Sequence, residues 1–102
     1  MKVKYSKAFV KAIDKLSGKT LTSVLTMIKE VKRAKGLEEI SNCTRLVGYN
    51  SIYRIRIGDY RAFFVLYVDI SDDTIFFQYL VSRGAAYGKK MEEALRKKDQ
   101  QD

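Results

Sequence analysis

Between Ile52 and Arg61 the chain reads Ile-Tyr-Arg-Ile-Arg-Ile-Gly-Asp-Tyr-Arg, and this stretch limits the possible folds more than any other. Tyr53, Ile55 and Ile57 alternate with Arg54 and Arg56. A period of two in β-branched and aromatic residues predicts a half-buried strand. Gly58-Asp59 then makes a two-residue turn, because glycine supplies the positive φ that tight hairpins need. Tyr60-Arg61 opens the return strand, which brings a third guanidinium within reach of the first two. Asp59 is the one acid nearby, and the turn accounts for it. Three like charges on one sheet face repel each other unless an anion sits among them. The alternative is an ordinary solvated strand face neutralised by cross-strand neighbours.

The remaining segments read as supports for this hairpin. Residues 2–5 form a short strand with Val3 and Tyr5 on one side. Ser6 is placed to cap a helix whose apolar stripe is Phe9, Ala12, Ile13 and Leu16, and Gly18 is its stop. A second helix begins near Thr20, buries Leu21, Val24, Leu25, Ile28 and Val31, and ends at Gly36. The two make an antiparallel helical hairpin that needs a sheet to cover. From Cys43 the pattern turns to strands: Arg45 to Tyr49, the arginine strand, Tyr60 to Asp69, and Thr74 to Arg83. Turns fall at Gly48-Tyr49-Asn50 and Ser71-Asp72-Asp73. The last two strands are apolar on both parities, as central strands are. Short connections predict an antiparallel meander. The fold class is therefore α+β: an N-terminal strand and helix pair packed on a sheet of four to five strands, with a short C-terminal helix from Lys89 to Lys98. That helix has only Met91, Ala94 and Leu95 as an apolar face. Residues 89–102 are expected to dock loosely and the tail to fray.

At 102 residues the chain fits a single domain, 1–102. A net charge of +8 makes a polyanion the favoured partner, nucleic acid first. Lys2, Lys4, Lys7, Lys11, Lys15 and Lys19 stand against Asp14 alone in the N-terminal part. No apolar run approaches the roughly 20 residues of a membrane span, and the first residues lack the apolar core of a signal peptide. A lone Cys43 suits a reducing, cytoplasmic setting. There is no histidine, so no zinc constellation and no cofactor is expected, and proton transfer falls to Arg, Lys, Tyr and carboxylates.

Arg54, Arg56, Arg61 and Arg83 come from three adjacent strands, with Tyr87 just past the last. Parity lets the first three converge, whereas Arg83 arrives at a strand end. Guanidiniums match phosphate bidentately and stabilise the added charge of a pentavalent transition state. In RNA the 2′-OH is already the nucleophile, so the protein has to align it and accept its proton. Arginine is a poor base. Tyr87 has an ordinary pKa of about 10, which nearby arginines lower. It is the candidate base or a stacking platform, the alternative being an aromatic packed on the sheet. Arg45, Lys89 and Lys90 are added as candidate RNA-binding cations.

Tyr53-Arg-Ile-Arg-Ile-Gly-Asp-Tyr-Arg61, followed by Ser82-Arg83 and then Tyr87, resembles the core and ending of the RelE/ParE superfamily of toxins from type II toxin–antitoxin systems. The resemblance spans roughly residues 2 to 90. RelE-like members are metal-independent endoribonucleases that cut mRNA in the ribosomal A site and are inhibited by an antitoxin. The resemblance puts Arg54, Arg56 and Arg61 at the basic catalytic positions, Arg83 at that of the C-terminal arginine, and Tyr87 at that of the tyrosine. Ser82 stands where many relatives carry histidine, and Arg54 and Arg56 fill positions that are lysine in some RelE members. The implied partners are mRNA, the ribosome and an acidic antitoxin, with no membrane and no metal. Two other readings stay open: a ParE-like gyrase poison without nuclease activity, and a decayed RNA- or antitoxin-binding module.

Overall fold

The computed structural model describes residues 1–99. Strand β1 (Lys2–Tyr5) leads into helices α1 (Lys7–Asp14) and α2 (Gly18–Arg33). Strands β2 (Cys43–Arg45), β3 (Ile52–Ile57), β4 (Tyr60–Tyr67) and β5 (Thr74–Ser82) follow, then the short helix α3 (Arg83–Ala86) and α4 (Lys89–Lys98). The sheet order is β1-β5-β4-β3-β2. Strands β2 to β5 form the expected meander, while β1 lies parallel to β5, with Val3 opposite Ile75 and Tyr5 opposite Phe77. The sheet is thus mixed. Immediately after β1 the chain turns into α1, pinned by Ser6: its hydroxyl donates to Gln78 O at 2.6 Å and accepts from Phe9 N at 3.1 Å.

Both faces of the sheet are covered. On one side Phe9, Val24, Met27, Ile28 and Val31 pack on Ile55, Ala62, Phe64, Ile75, Phe77 and Leu80. The Phe9 and Phe77 rings stack at 4.7 Å, and Tyr53 stacks on Phe64 at 5.2 Å. On the other side α3 and α4 close a smaller cluster of Tyr49, Ile52, Phe63, Val65, Ala86 and Leu95. Two covered faces explain why Ala62 to Val65 is buried without interruption. Each large side chain so buried contributes about 1.5–3 kcal/mol.

Several local expectations change. In α2, Met27 takes the buried place expected for Leu25, which is 44% exposed. Gly18 has a left-handed φ of +58°, yet it opens α2 instead of ending α1, which closes at Asp14 with Lys15 N bonded to Ala12 O. Gly36 is extended, and α2 ends earlier, at Arg33, where Ala34 leaves the helix. The first strand of the meander is Cys43–Arg45, since Gly48 at φ +85° already belongs to the loop that follows. In β5, parity breaks. Phe63 pairs with Tyr79 and Phe64 with Phe77, so Gln78 is the extra residue of a β-bulge. Phe77 therefore faces α1 while Tyr79 and Val81 face the smaller cluster.

Helix α4 docks more firmly than its composition suggests. Leu95 is 2% exposed. Arg96 donates to Gly48 O at 2.6 Å, and its guanidinium lies 4.1 Å from the centre of the Tyr49 ring. Asp99 accepts from Asn50 N (2.8 Å), Ser51 N (2.7 Å) and Ser51 Oγ (3.0 Å). Partial burial pushes the Asp99 carboxyl pKa up. The three hydrogen bonds and the Arg96 charge outweigh this and hold the pKa below its ordinary value. The fraying expected of Asp99 to Asp102 does not begin at Asp99, which these bonds hold in place, and residues 100–102 lie outside the described residues.

Candidate functional site

The hairpin of β3 and β4 puts Arg54, Arg56 and Arg61 on the sheet face opposite α1 and α2. Gly58, at φ +55°, is the first of its two turn residues. In the ladder Arg56 is directly opposite Arg61, and Arg54 is opposite Phe63. Their environments differ. Arg56 is exposed and Arg54 half-buried, while Arg61 is only 6% exposed. Arg61 Nη1 donates to Gly58 O at 2.7 Å and to Tyr60 O at 2.9 Å, which orients the guanidinium against its own turn. Arg54 Nη1 donates to the Tyr87 hydroxyl at 2.8 Å.

Both Arg54 Nε and Arg61 Nε are buried without an acceptor. Among the described residues no carboxylate pairs with Arg54, Arg56, Arg61 or Arg83. A buried cation normally has a partner, because desolvation costs several kcal/mol even after relaxation. Arg54 and Arg61 each keep one buried N–H without an acceptor, and neither has an acidic partner among the described residues.

Tyr87 sits at the end of α3 and is 58% exposed, so its hydroxyl is both held and reachable. Slight burial pushes its pKa up. The hydrogen bond from Arg54, and the positive charge of Arg61 and Arg54, more than offset that and leave it below the ordinary tyrosine value. Arg83 begins α3, where its backbone N–H donates to Asp59 O at 2.7 Å and fastens the helix to the hairpin turn. Its side chain is exposed at that end of the sheet. Lys89 and Lys90 form the exposed first turn of α4, next to Tyr87. Cations at a helix N-terminus oppose the helix dipole, so this placement too favours a nearby anion. Arg45 is not brought to this face: it pairs with Tyr53, on the helix side of the sheet, and donates to Tyr49 O at 3.1 Å.

A feature not legible in the sequence lies beside Tyr87. An open hollow of about 190 Å³ separates the loop after β2 from the junction of α3 and α4. Its lining includes Tyr49, Phe63, Ala86, Tyr87, Glu92 and Leu95. These residues come from four distant segments, and only Leu95 lay on a stripe that the sequence marked as apolar.

Taken together, this is a small basic α+β protein whose sheet carries unpaired buried guanidiniums around a phenol. No family model matches the chain. It is 30% identical over 88 residues to Toxin RelE3 of Methanocaldococcus jannaschii, a match covering 85% of this chain and 96% of that protein. The fold is similar to two solved complexes. In the RelB-RelE antitoxin-toxin complex from Methanococcus jannaschii the TM-score is 0.67 at 26% identity, over 82% of this chain and 94% of that one. In the archaeal RelE-RelB complex from Pyrococcus horikoshii it is 0.64 at 29% identity, over 83% and 97%. The chain belongs to the RelE toxin family.

Proposed function

We propose that the protein, as a single RelE-like domain, is the toxin of a type II toxin–antitoxin module and an endoribonuclease acting on mRNA at the ribosome. The observation that carries this reading is the Tyr87 hydroxyl held 2.8 Å from Arg54 Nη1, beside a buried Arg61 that lacks an acidic partner. A phosphodiester at Arg54 and Arg61 would supply the anion that no carboxylate supplies to them among the described residues. With its pKa lowered by the same arginines, Tyr87 as phenolate takes the proton from the 2′-OH. The 2′-oxygen attacks phosphorus in line, the bond to the 5′-oxygen breaks, and the products are a 2′,3′-cyclic phosphate and a 5′-hydroxyl protonated from solvent. Arg61 and Arg54 hold the extra negative charge as it develops. Arg56, Arg83, Lys89 and Lys90 are exposed cations suited to the flanking phosphates.

Kinship to RelE proteins solved with RelB supports a protein antitoxin as the inhibitor. The net charge of +8 favours an acidic one, bound less tightly as salt rises. The test is inducible expression in a bacterium with mapping of mRNA 5′ ends. Wild type is expected to arrest growth and cut mRNA within codons, and Arg61→Ala and Tyr87→Phe to do neither. Growth arrest with intact mRNA and a DNA-damage response would overturn the reading in favour of a gyrase poison. Normal growth with intact mRNA would leave a binding module.

A further inference from the structure

The hollow beside Tyr87 has no part in the phosphate chemistry above. Its floor is apolar, made by Phe63, Ala86 and Leu95, all buried. Tyr49 and Tyr87 supply two aromatic walls. The one charged residue among its lining is Glu92, in the first turn of α4, exposed and free of any ion pair among the described residues. Its backbone N–H is already bonded to Gly88 O at 3.1 Å, which fixes where its side chain starts. Glu92 complements the dipole at the start of α4, and in this lining it is also the one group that only accepts hydrogen bonds through a charged side chain. An apolar hollow lined by two aromatic residues and one carboxylate residue has the chemistry of a site for an unstacked nucleobase.

We infer that this hollow receives the base next to the phosphate held by Arg54 and Arg61, and that Glu92 makes it selective for guanine. A carboxylate has acceptors only. The Watson–Crick edge of guanine offers two adjacent donors, N1–H and the 2-amino group, which two carboxylate oxygens match side by side. Adenine and cytosine set an acceptor nitrogen next to their amino group, and uracil sets its single N–H between two carbonyls. Each of those would aim a lone pair at Glu92. Tyr87 belongs to both halves of the site, its hydroxyl bonded to Arg54 and its ring lining the hollow. A base seated here would be in register with the phosphate by construction.

The inference rests on the nucleolytic reading for the source of the nucleotide, but its test needs no catalysis. Isotope-labelled full-length protein is titrated with 5′-GMP, 5′-AMP, 5′-CMP and 5′-UMP while the backbone amides of Ala86, Gly88 and Leu95 are followed by NMR. GMP is expected to shift these amides with a Kd at least about fivefold below the others, the low end of discrimination by a good bidentate contact. Glu92→Ala is expected to level the four Kd values. Comparing their ratios cancels the uniform gain from losing a negative charge. Equal Kd values in the wild type, shifts confined to the arginine hairpin, or an unchanged ratio in Glu92→Ala would overturn it. Wild-type mRNA cleavage without a GMP preference would sink this inference alone. A GMP preference without mRNA cleavage would support it and sink the nucleolytic reading.

Discussion

Replacing Arg61 by methionine removes a guanidinium that is 6% exposed, and the sign of the stability change follows from its surroundings. The loss is two hydrogen bonds, to Gly58 O at 2.7 Å and Tyr60 O at 2.9 Å. Bonds from a charged donor are worth about 1.5–3 kcal/mol each. Gly58 is exposed, so water replaces part of the lost donor, and the pair costs about 3 kcal/mol at the lower end of that range. The gain is larger. An unpaired buried cation costs several kcal/mol, and the unsatisfied Nε adds about 1–3 kcal/mol. Repulsion from Arg56, directly across the ladder, disappears as well. Methionine is unbranched and fills irregular space with an apolar chain. The variant is therefore more stable by about 1 kcal/mol, which in a domain of this size raises Tm by about 4–8 °C. The assay is thermal unfolding in low-salt buffer, repeated with inorganic phosphate. Phosphate at 100 times its Kd stabilises the wild type by about 2.7 kcal/mol and the variant by much less. On the proposed nucleolytic function, the variant is expected to leave mRNA uncut. A lower Tm in Arg61→Met, together with equal stabilisation of both proteins by phosphate, would refute the reasoning that Arg61 is kept for an external anion at the expense of the fold.

On the proposed nucleolytic function, Tyr87, with its pKa below the ordinary tyrosine value, is expected to make cleavage rise with pH and level off before pH 10, and Tyr87→Phe to lower the rate by about 10²–10⁴ and flatten the profile. The same shift means the folded state binds the phenol proton less tightly than the unfolded state. Stability thus grows as pH rises through the folded pKa and is complete above the unfolded one, which denaturant titrations at stepped pH would read. Leu95→Ala costs about 2–5 kcal/mol by opening the smaller cluster, and hydrogen exchange should localise the weakening to α4 and the loop at Gly48 to Ser51. Equal protection in variant and wild type would show that α4 is not held by Leu95. Burial pushes the Cys43 thiol up to about 11, the Arg54 charge offsetting only part of this. Iodoacetamide at pH 8 should react with it far more slowly in native protein than in urea, and equal rates would mean the thiol is not protected.

Much of the site was legible because it depends on neighbours in sequence. Alternation from Tyr53 to Ile57, a turn at Gly58-Asp59 and a return through Arg61 are sufficient to put three guanidiniums on one face. Helical spacing likewise marked Phe9, Ala12, Ile13 and Leu16. Charge alone selects Arg45 in the sequence, whereas its pairing with Tyr53 decides which face it occupies, and that face is not the one of Arg54, Arg56 and Arg61. Leu25 was misjudged for a related reason. Five apolar residues at helical spacing mark a wide stripe, and the face α2 actually buries is rotated toward Val24, Val31 and Met27, which leaves Leu25 at the exposed edge.

Covalent geometry is what a sequence expresses directly: side chains recur every two residues along a strand and every 3.6 along a helix. From that alone come the hairpin, the amphipathic helices and the collected arginines of this protein. The bulge at Gln78, the parallel seat of β1 on β5, and the anchoring of α4 by Arg96 and Asp99 to a loop 48 residues away are different in kind. They arise from contacts between segments remote in the chain, where packing and hydrogen-bond satisfaction choose among arrangements that local periodicity leaves equal. The burial of Arg61 and the hollow beside Tyr87 belong to that second group, because each exists only once both faces of the sheet are covered.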